Sequence, residues 1–92
     1  MSEQDVRTLE IVNEKGLHAR ASARPVETRE EFDAEAPVRK NGLDATGNSI
    51  MGLLMLAASK GTSIEIETSG PAARELADAL EALIADRFGE EK

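Results

Sequence analysis

The chain has 92 residues and a net charge of −7, with 40% hydrophobic residues, two Phe and no Trp or Tyr. That length supports one compact core, so residues 1–92 read as one domain, and the acidic excess disfavours nucleic acid and membrane surfaces as partners. With no cysteine, disulfides and cysteine-based zinc sites are excluded, which suits a reducing cytoplasm, and the polar start Met1–Asp5 and short apolar run Leu53–Ala58 resemble neither a secretory leader nor a membrane span.

Val6 to Val12 reads as a strand, because Leu9 and Ile11 alternate with Thr8 and Glu10. Asn13–Gly16 is a turn-rich break. Ala19 to about Phe32 is rich in Ala, Arg and Glu and reads as a helix. Pro25 lies near its middle, where proline removes a backbone bond and crowds the preceding turn. Arg29 falls on the inner face with Ser22, Val26 and Phe32, so the sequence predicts a kinked, shortened or weakened helix.

Ala34 to Arg39 reads as a short strand with Pro37 near an edge or end. Asn41-Gly42 gives a hairpin signal before a return strand from Leu43 to Thr46. Gly47-Asn48-Ser49 supplies capping residues for a helix from Ile50 to about Ser59, with Gly61 as its stop. Leu53 and Leu56 face inward on that helix, which leaves Ile50, Met51 and Leu54 partly outside. Thr62 to Thr68 alternates cleanly as a strand around Ile64 and Ile66. Gly70-Pro71 starts the last helix, whose stripe is Leu76, Leu80, Leu83, Ile84 and Phe88. Gly89 ends it, and Glu90-Glu91-Lys92 is expected to fray. The order β-α-β-β-α-β-α, with helices on one face of a small, mainly antiparallel sheet, makes an α+β open sandwich.

The single histidine, His18, lies where the first strand-like run gives way to the first helix. Neutral imidazole is a good nucleophile, and a phosphoryl group on its nitrogen is labile enough to be passed on. The first N–H groups of a helix have no partner within it and favour an anion, so those of Ala19 and Arg20 suit a phosphate. The Arg20 guanidinium adds charge-assisted hydrogen bonds, and Gly16 lets the chain turn sharply and keeps the approach open. Taken alone, His18 also fits a surface or capping histidine, Gly16 a turn and Arg20 a solvated helix residue. Ser49 fits a plain N-cap or a regulatory phosphorylation site beside Ile50, Met51 and Leu54, a candidate docking patch. One histidine and no clustered carboxylate spacing argue against a metal site.

Gly16-Leu17-His18-Ala19-Arg20 resembles the active-site motif of HPr, the histidine-containing phosphocarrier of the bacterial phosphotransferase system. Asn48-Ser49-Ile50-Met51-Gly52 resembles that family's second motif, around a regulatory serine. Asn41-Gly42, Lys60-Gly61 and Ile64-Glu65-Ile66 fall in family order, so the resemblance spans essentially the whole chain. It implies an open-faced sandwich with a four-stranded sheet and three helices. It implies phosphorylation of His18 at Nδ1 by enzyme I and transfer to EIIA-type proteins, with Arg20 steering the phosphate. It further implies that HPr kinase/phosphorylase modifies Ser49 and that Ile50, Met51 and Leu54 dock partners, in a cytoplasmic monomer that needs no cofactor. Ala21 stands where many members have proline, Pro25 and Arg29 where they carry apolar core residues, and Pro37 within the second strand. Three readings follow: a stoichiometric carrier; a nitrogen-branch or regulatory protein acting through its phosphorylation state; and a hydrolase, which requires a second acid or base beside His18.

Overall fold

Alternation builds the sheet. In the computed structural model, which describes residues 3–46 and 49–92, β1 spans Glu3–Glu10, β2 Val38–Lys40, β3 Leu43–Ala45 and β4 Ser63–Gly70. Their order is β1-β4-β2-β3, and every pairing is antiparallel. On β4, Ile64, Ile66 and Thr68 point into the core while Ser63, Glu65 and Glu67 point away from it. On the outer face Arg39 bridges Glu65 and Glu67 at 3.0 and 2.8 Å. Helices α1 (Ala19–Glu30), α2 (Ile50–Met55) and α3 (Ala73–Ala85) complete the open sandwich. Helix α3 lays Leu76, Leu80 and Ile84 onto β1 and β4, and α1 packs between α2 and α3.

Several boundaries differ from the sequence reading. Strand β1 lies about two residues earlier than Val6–Val12, although Ile11 still exchanges backbone hydrogen bonds with Gly61 and Thr62. Helix α1 stops at Glu30, short of Phe32. It runs through Pro25, whose missing N–H leaves the Ala21 carbonyl without its usual bond. The pyrrolidine ring takes the part of an apolar side chain, lining a cavity of about 20 Å³ with Leu17, Leu53 and Phe88. Arg29 is half-buried: its Nη2 donates to Glu35 at 2.8 Å, while its Nε is buried without a partner. The second strand begins only after Pro37, with residue 35 joined to Ser69 by an isolated bridge, because proline has no N–H to give a ladder.

Asn41 and Gly42, with φ of 51° and 81°, form the tight turn between β2 and β3, and β3 ends at Ala45 rather than Thr46. Helix α2 ends at Met55 instead of Ser59, because Ala57 adopts a left-handed φ of 52° that no α-helix continues. Strand β4 runs to Gly70, so Gly70-Pro71 does not open the last helix, which starts at Ala73 after an Ala72 N-cap. That helix ends at Ala85. Arg87 and Phe88 both have positive φ, and Arg87–Gly89 forms a single 3-10 turn that drives Phe88 into the core. The last residues do not fray. The Glu14 N–H donates to the Lys92 carbonyl at 3.1 Å, which brings the C-terminus back to the start of α1.

Candidate functional site

His18 is the N-cap of α1, with extended φ and ψ of −76° and −178°, and its side chain does not cap the helix. Its backbone carbonyl accepts the first helical hydrogen bond, from the Ser22 N–H at 2.7 Å. Ser22 is fully buried and its Oγ donates to the Leu17 carbonyl, so the junction is tied on both sides of the histidine. The imidazole is thereby free to face solvent, with 30% of its side chain exposed.

Gly16 sits beneath this junction with φ +67°, against the loop after α2, where an added Cβ would lie 2.4 Å from the Ala58 carbonyl oxygen. Gly16 is buried, so it sets the path of the chain rather than opening the approach. The Leu17 N–H donates to that same Ala58 oxygen at 2.8 Å. Ala19 and Arg20 are exposed on the first turn of α1. Among the described residues Arg20 makes no ion pair. With Glu14, Lys15, His18 and the terminal Glu90, Glu91 and Lys92, they line an open depression of about 670 Å³. Ala19 and Arg20 bring the first turn of α1 to this depression, where the cations of Lys15, Arg20 and Lys92 stand among the carboxylates of Glu14, Glu90 and Glu91.

The sequence gives no signal for the residue that lies closest to the imidazole. Glu90 Oε2 is in short hydrogen-bond contact with His18 Nε2. The other carboxylate oxygen accepts from Asn13 Nδ2 at 2.9 Å, and Asn13 Nδ2 also donates to the Gly16 carbonyl at 2.8 Å. The Asn13 amide, followed by His18, holds the Glu90 carboxyl below its ordinary range. An ionised carboxylate only accepts, so the hydrogen in the neutral ring is assigned to Nε2, and Nδ1 keeps its lone pair. A carboxylate thus stands within hydrogen-bond reach of His18, so the absence of a second acid or base that would dispose of the hydrolase reading is not found.

Ser49 caps α2: its Oγ accepts from the Gly52 N–H at 3.0 Å. Gly47 and Asn48 lie outside the described residues. Ile50 and Met51 are exposed at 41% and 69%, while Leu54 is half-buried. Met55, which sequence reasoning missed, is the most exposed apolar residue of this helix at 73%. It follows Met51 by four positions and so shares its outward face. No group of acidic or histidine side chains among the described residues has the grouping that a metal ion needs, and no described helix is long and apolar enough to cross a membrane.

A family model described as "PTS HPr component phosphorylation site" matches residues 6–86. The phosphocarrier protein HPr of Neisseria meningitidis serogroup A is 50% identical over 84 residues, which is 91% of this chain and 94% of the relative. The phosphocarrier protein NPr of Escherichia coli K12 is 41% identical over 86 residues, 92% of this chain and 96% of the relative. Among solved structures, an HPr from Thermoanaerobacter tengcongensis superposes with a TM-score of 0.90 at 36% identity, covering 96% of this chain and 99% of its own. An HPr dimer from the same organism also matches, with a TM-score of 0.75 at 36% identity over 89% of this chain and 94% of that one, so the likeness does not carry the expected monomer.

Proposed function

The chain belongs to the HPr family of phosphotransferase-system phosphocarriers, and on that premise we propose that His18 accepts a phosphoryl group at Nδ1 from enzyme I and passes it to EIIA-type proteins. The observation that carries this is the placement of a part-exposed imidazole at the N-cap of α1, with its Nε2 taken by Glu90 and its Nδ1 free to attack. Arg20 and the first N–H groups of α1, those of Ala19 and Arg20 among them, receive the phosphate oxygens, while Gly16 holds the junction below. No metal or cofactor is required. The protein is a stoichiometric carrier, consumed and regenerated by its partners. ³¹P NMR after incubation with enzyme I and phosphoenolpyruvate is expected to show one acid-labile phosphate per chain and none on His18→Ala. Uptake by His18→Ala overturns the assignment.

Partner docking falls to Ile50, Met51 and Leu54, with Met55 alongside, because apolar side chains on an exposed helix face are what a partner can cover. Ser49, at the start of that helix, is the target of HPr kinase/phosphorylase. A phosphate there meets free N–H groups and changes the charge of the patch without unfolding it. Radiolabel from ATP that still enters Ser49→Ala refutes this site.

The likeness to NPr favours a second reading, in which the phosphorylation state governs regulatory partners of a nitrogen branch. Pulldowns with unmodified, His18-phosphorylated and Ser49-phosphorylated protein distinguish it, and identical partner sets for all three forms count against it. Glu90 supplies the carboxylate that a histidine hydrolase requires. That reading predicts repeated turnover of a phosphoryl ester by the protein alone, whereas a carrier gives at most one equivalent.

A further inference from the structure

We infer that Glu90 is a positioning residue for His18: it fixes which ring nitrogen carries the proton and balances the charge that the ring gains during transfer. This rests on the reading of His18 as the phosphoryl acceptor.

The contact is built, not incidental. Glu90 is 72 residues from His18, and only 19% of its side chain is exposed. The chain reaches it through two consecutive non-glycine residues in the left-handed region, Arg87 and Phe88, with φ of 56° and 55°. Such a backbone persists only where its surroundings impose it. Here the burial of Phe88 imposes it, and the Glu14–Lys92 backbone bond closes the return. Asn13, fully buried, is fixed in turn because both of its contacts, the Gly16 carbonyl and Glu90 Oε1, are acceptors and require its NH₂. The result is a line from Asn13 through Glu90 to the imidazole, the same logic by which a carboxylate orients a catalytic histidine and stabilises its charged form.

The Nδ1 lone pair forms the bond to phosphorus, and the electrons of the phosphorus–nitrogen bond in the donor phosphohistidine return to the donor ring. The proton on His18 Nε2 stays where it is, so the ring becomes cationic, and the Glu90 carboxylate neutralises that charge. Onward transfer reverses the step: the electrons of the phosphorus–Nδ1 bond return to Nδ1 and the ring is neutral again, with no proton exchanged.

Glu90→Gln tests this more sharply than Glu90→Ala. Asn13 donates toward the Oε1 position, so the carboxamide places its oxygen there and its NH₂ against Nε2. The ring must then accept at Nε2 and move its proton to Nδ1, which blocks the nucleophile. Because His18 is the only histidine, its ring nitrogens are unambiguous in a long-range ¹H–¹⁵N spectrum of the full-length protein. We expect an Nε2-bound proton in the parent, a shift toward an Nδ1-bound proton in Glu90→Gln, and phosphate uptake from phospho-enzyme I slowed by about tenfold or more. Glu90→Ala is expected to be less impaired than Glu90→Gln. A purely structural contact gives the opposite order, since glutamine nearly preserves the shape. Parent-like tautomer and rate in Glu90→Gln, or a Gln variant faster than Ala, overturns the inference. The ring spectrum is read without any phosphate donor, so its outcome is independent of the His18→Ala experiment on which the carrier reading stands.

Discussion

Gly16→Ala isolates what holds the histidine's platform together. At φ +67° an L-residue pays about 1 kcal/mol or more for the left-handed backbone. The new Cβ would also lie 2.4 Å from the Ala58 oxygen and 2.8 Å from the Ser59 Cα, both of them backbone, so the loop after α2 has to move. That movement strains the 2.8 Å hydrogen bond from the Leu17 N–H to the same Ala58 oxygen. Weakening a buried backbone bond adds about 1–3 kcal/mol, and the lower entropy of the unfolded alanine chain returns only about 0.5 kcal/mol. The net loss is about 3 kcal/mol, which for a domain of this size lowers Tm by about 15 °C. Gly42→Ala provides the control. It has φ +81° and nothing within 4 Å of an added Cβ, so it bears the backbone cost alone, about 1 kcal/mol and about 5 °C. Urea and thermal unfolding of both variants measure the difference. Equal losses for the two would show that the packing of Gly16 beneath Ala58 contributes nothing and would refute the reasoning.

Phe88→Ala empties a site in which the ring is only 3% exposed, so it is expected to cost about 3–5 kcal/mol by urea unfolding and to release the terminal segment, visible as faster hydrogen exchange of the Glu14 amide that bonds the Lys92 carbonyl. Ser49→Ala removes the acceptor for the Gly52 N–H and is expected to cost about 1 kcal/mol, read as a fall in the urea midpoint with unchanged slope. Glu90 has a carboxyl pKa lowered from its ordinary 4.5. Its contribution to stability is therefore present above about pH 4.5 and lost as pH falls through the lower native value. The stability gap between the parent and Glu90→Gln, followed by urea unfolding, is expected to shrink across that acid window, and a gap that widens there contradicts the assigned ionisation.

The parts of the fold that follow a local rule were legible. Alternation around Ile64 and Ile66 identified β4, the Asn41-Gly42 pair has the positive φ angles its turn requires, and Ser49 caps α2 as a residue of its type should. His18 and Arg20 were placed correctly at the head of α1 because a strand-to-helix change is visible in composition. Boundaries set by tertiary contact were not legible. Nothing in Leu54–Ser59 announces that Ala57 turns left-handed, since the cause is the Leu17 and Gly16 backbone packed against Ala58. Phe88 fits the helical stripe by spacing and is indeed in the core, yet it arrives there from a turn. Glu90 looked like frayed acid at a chain end, and no periodicity encodes a contact across 72 positions.

The irregularities of α1 lie apart from the contacts that hold the site. Pro25 weakens the helix one turn beyond its first, and Arg29 leaves a buried Nε unpaired further on. Every tie that fixes His18 lies before or outside that region. Ser22 bonds back to Leu17 and His18, Leu17 bonds across to Ala58, and Asn13 with Glu90 holds the ring from the other end of the chain. The geometry of the imidazole thus depends on the N-terminal turn, the loop after α2 and the C-terminal segment, and little on the straightness of α1. Pro25 and Arg29 are accommodated without disturbing it: the proline ring fills core space beside Leu53 and Phe88, and the arginine sends its charge outward to Glu35. The stability of the helix and the precision of the site are separable in this protein, because different residues secure them.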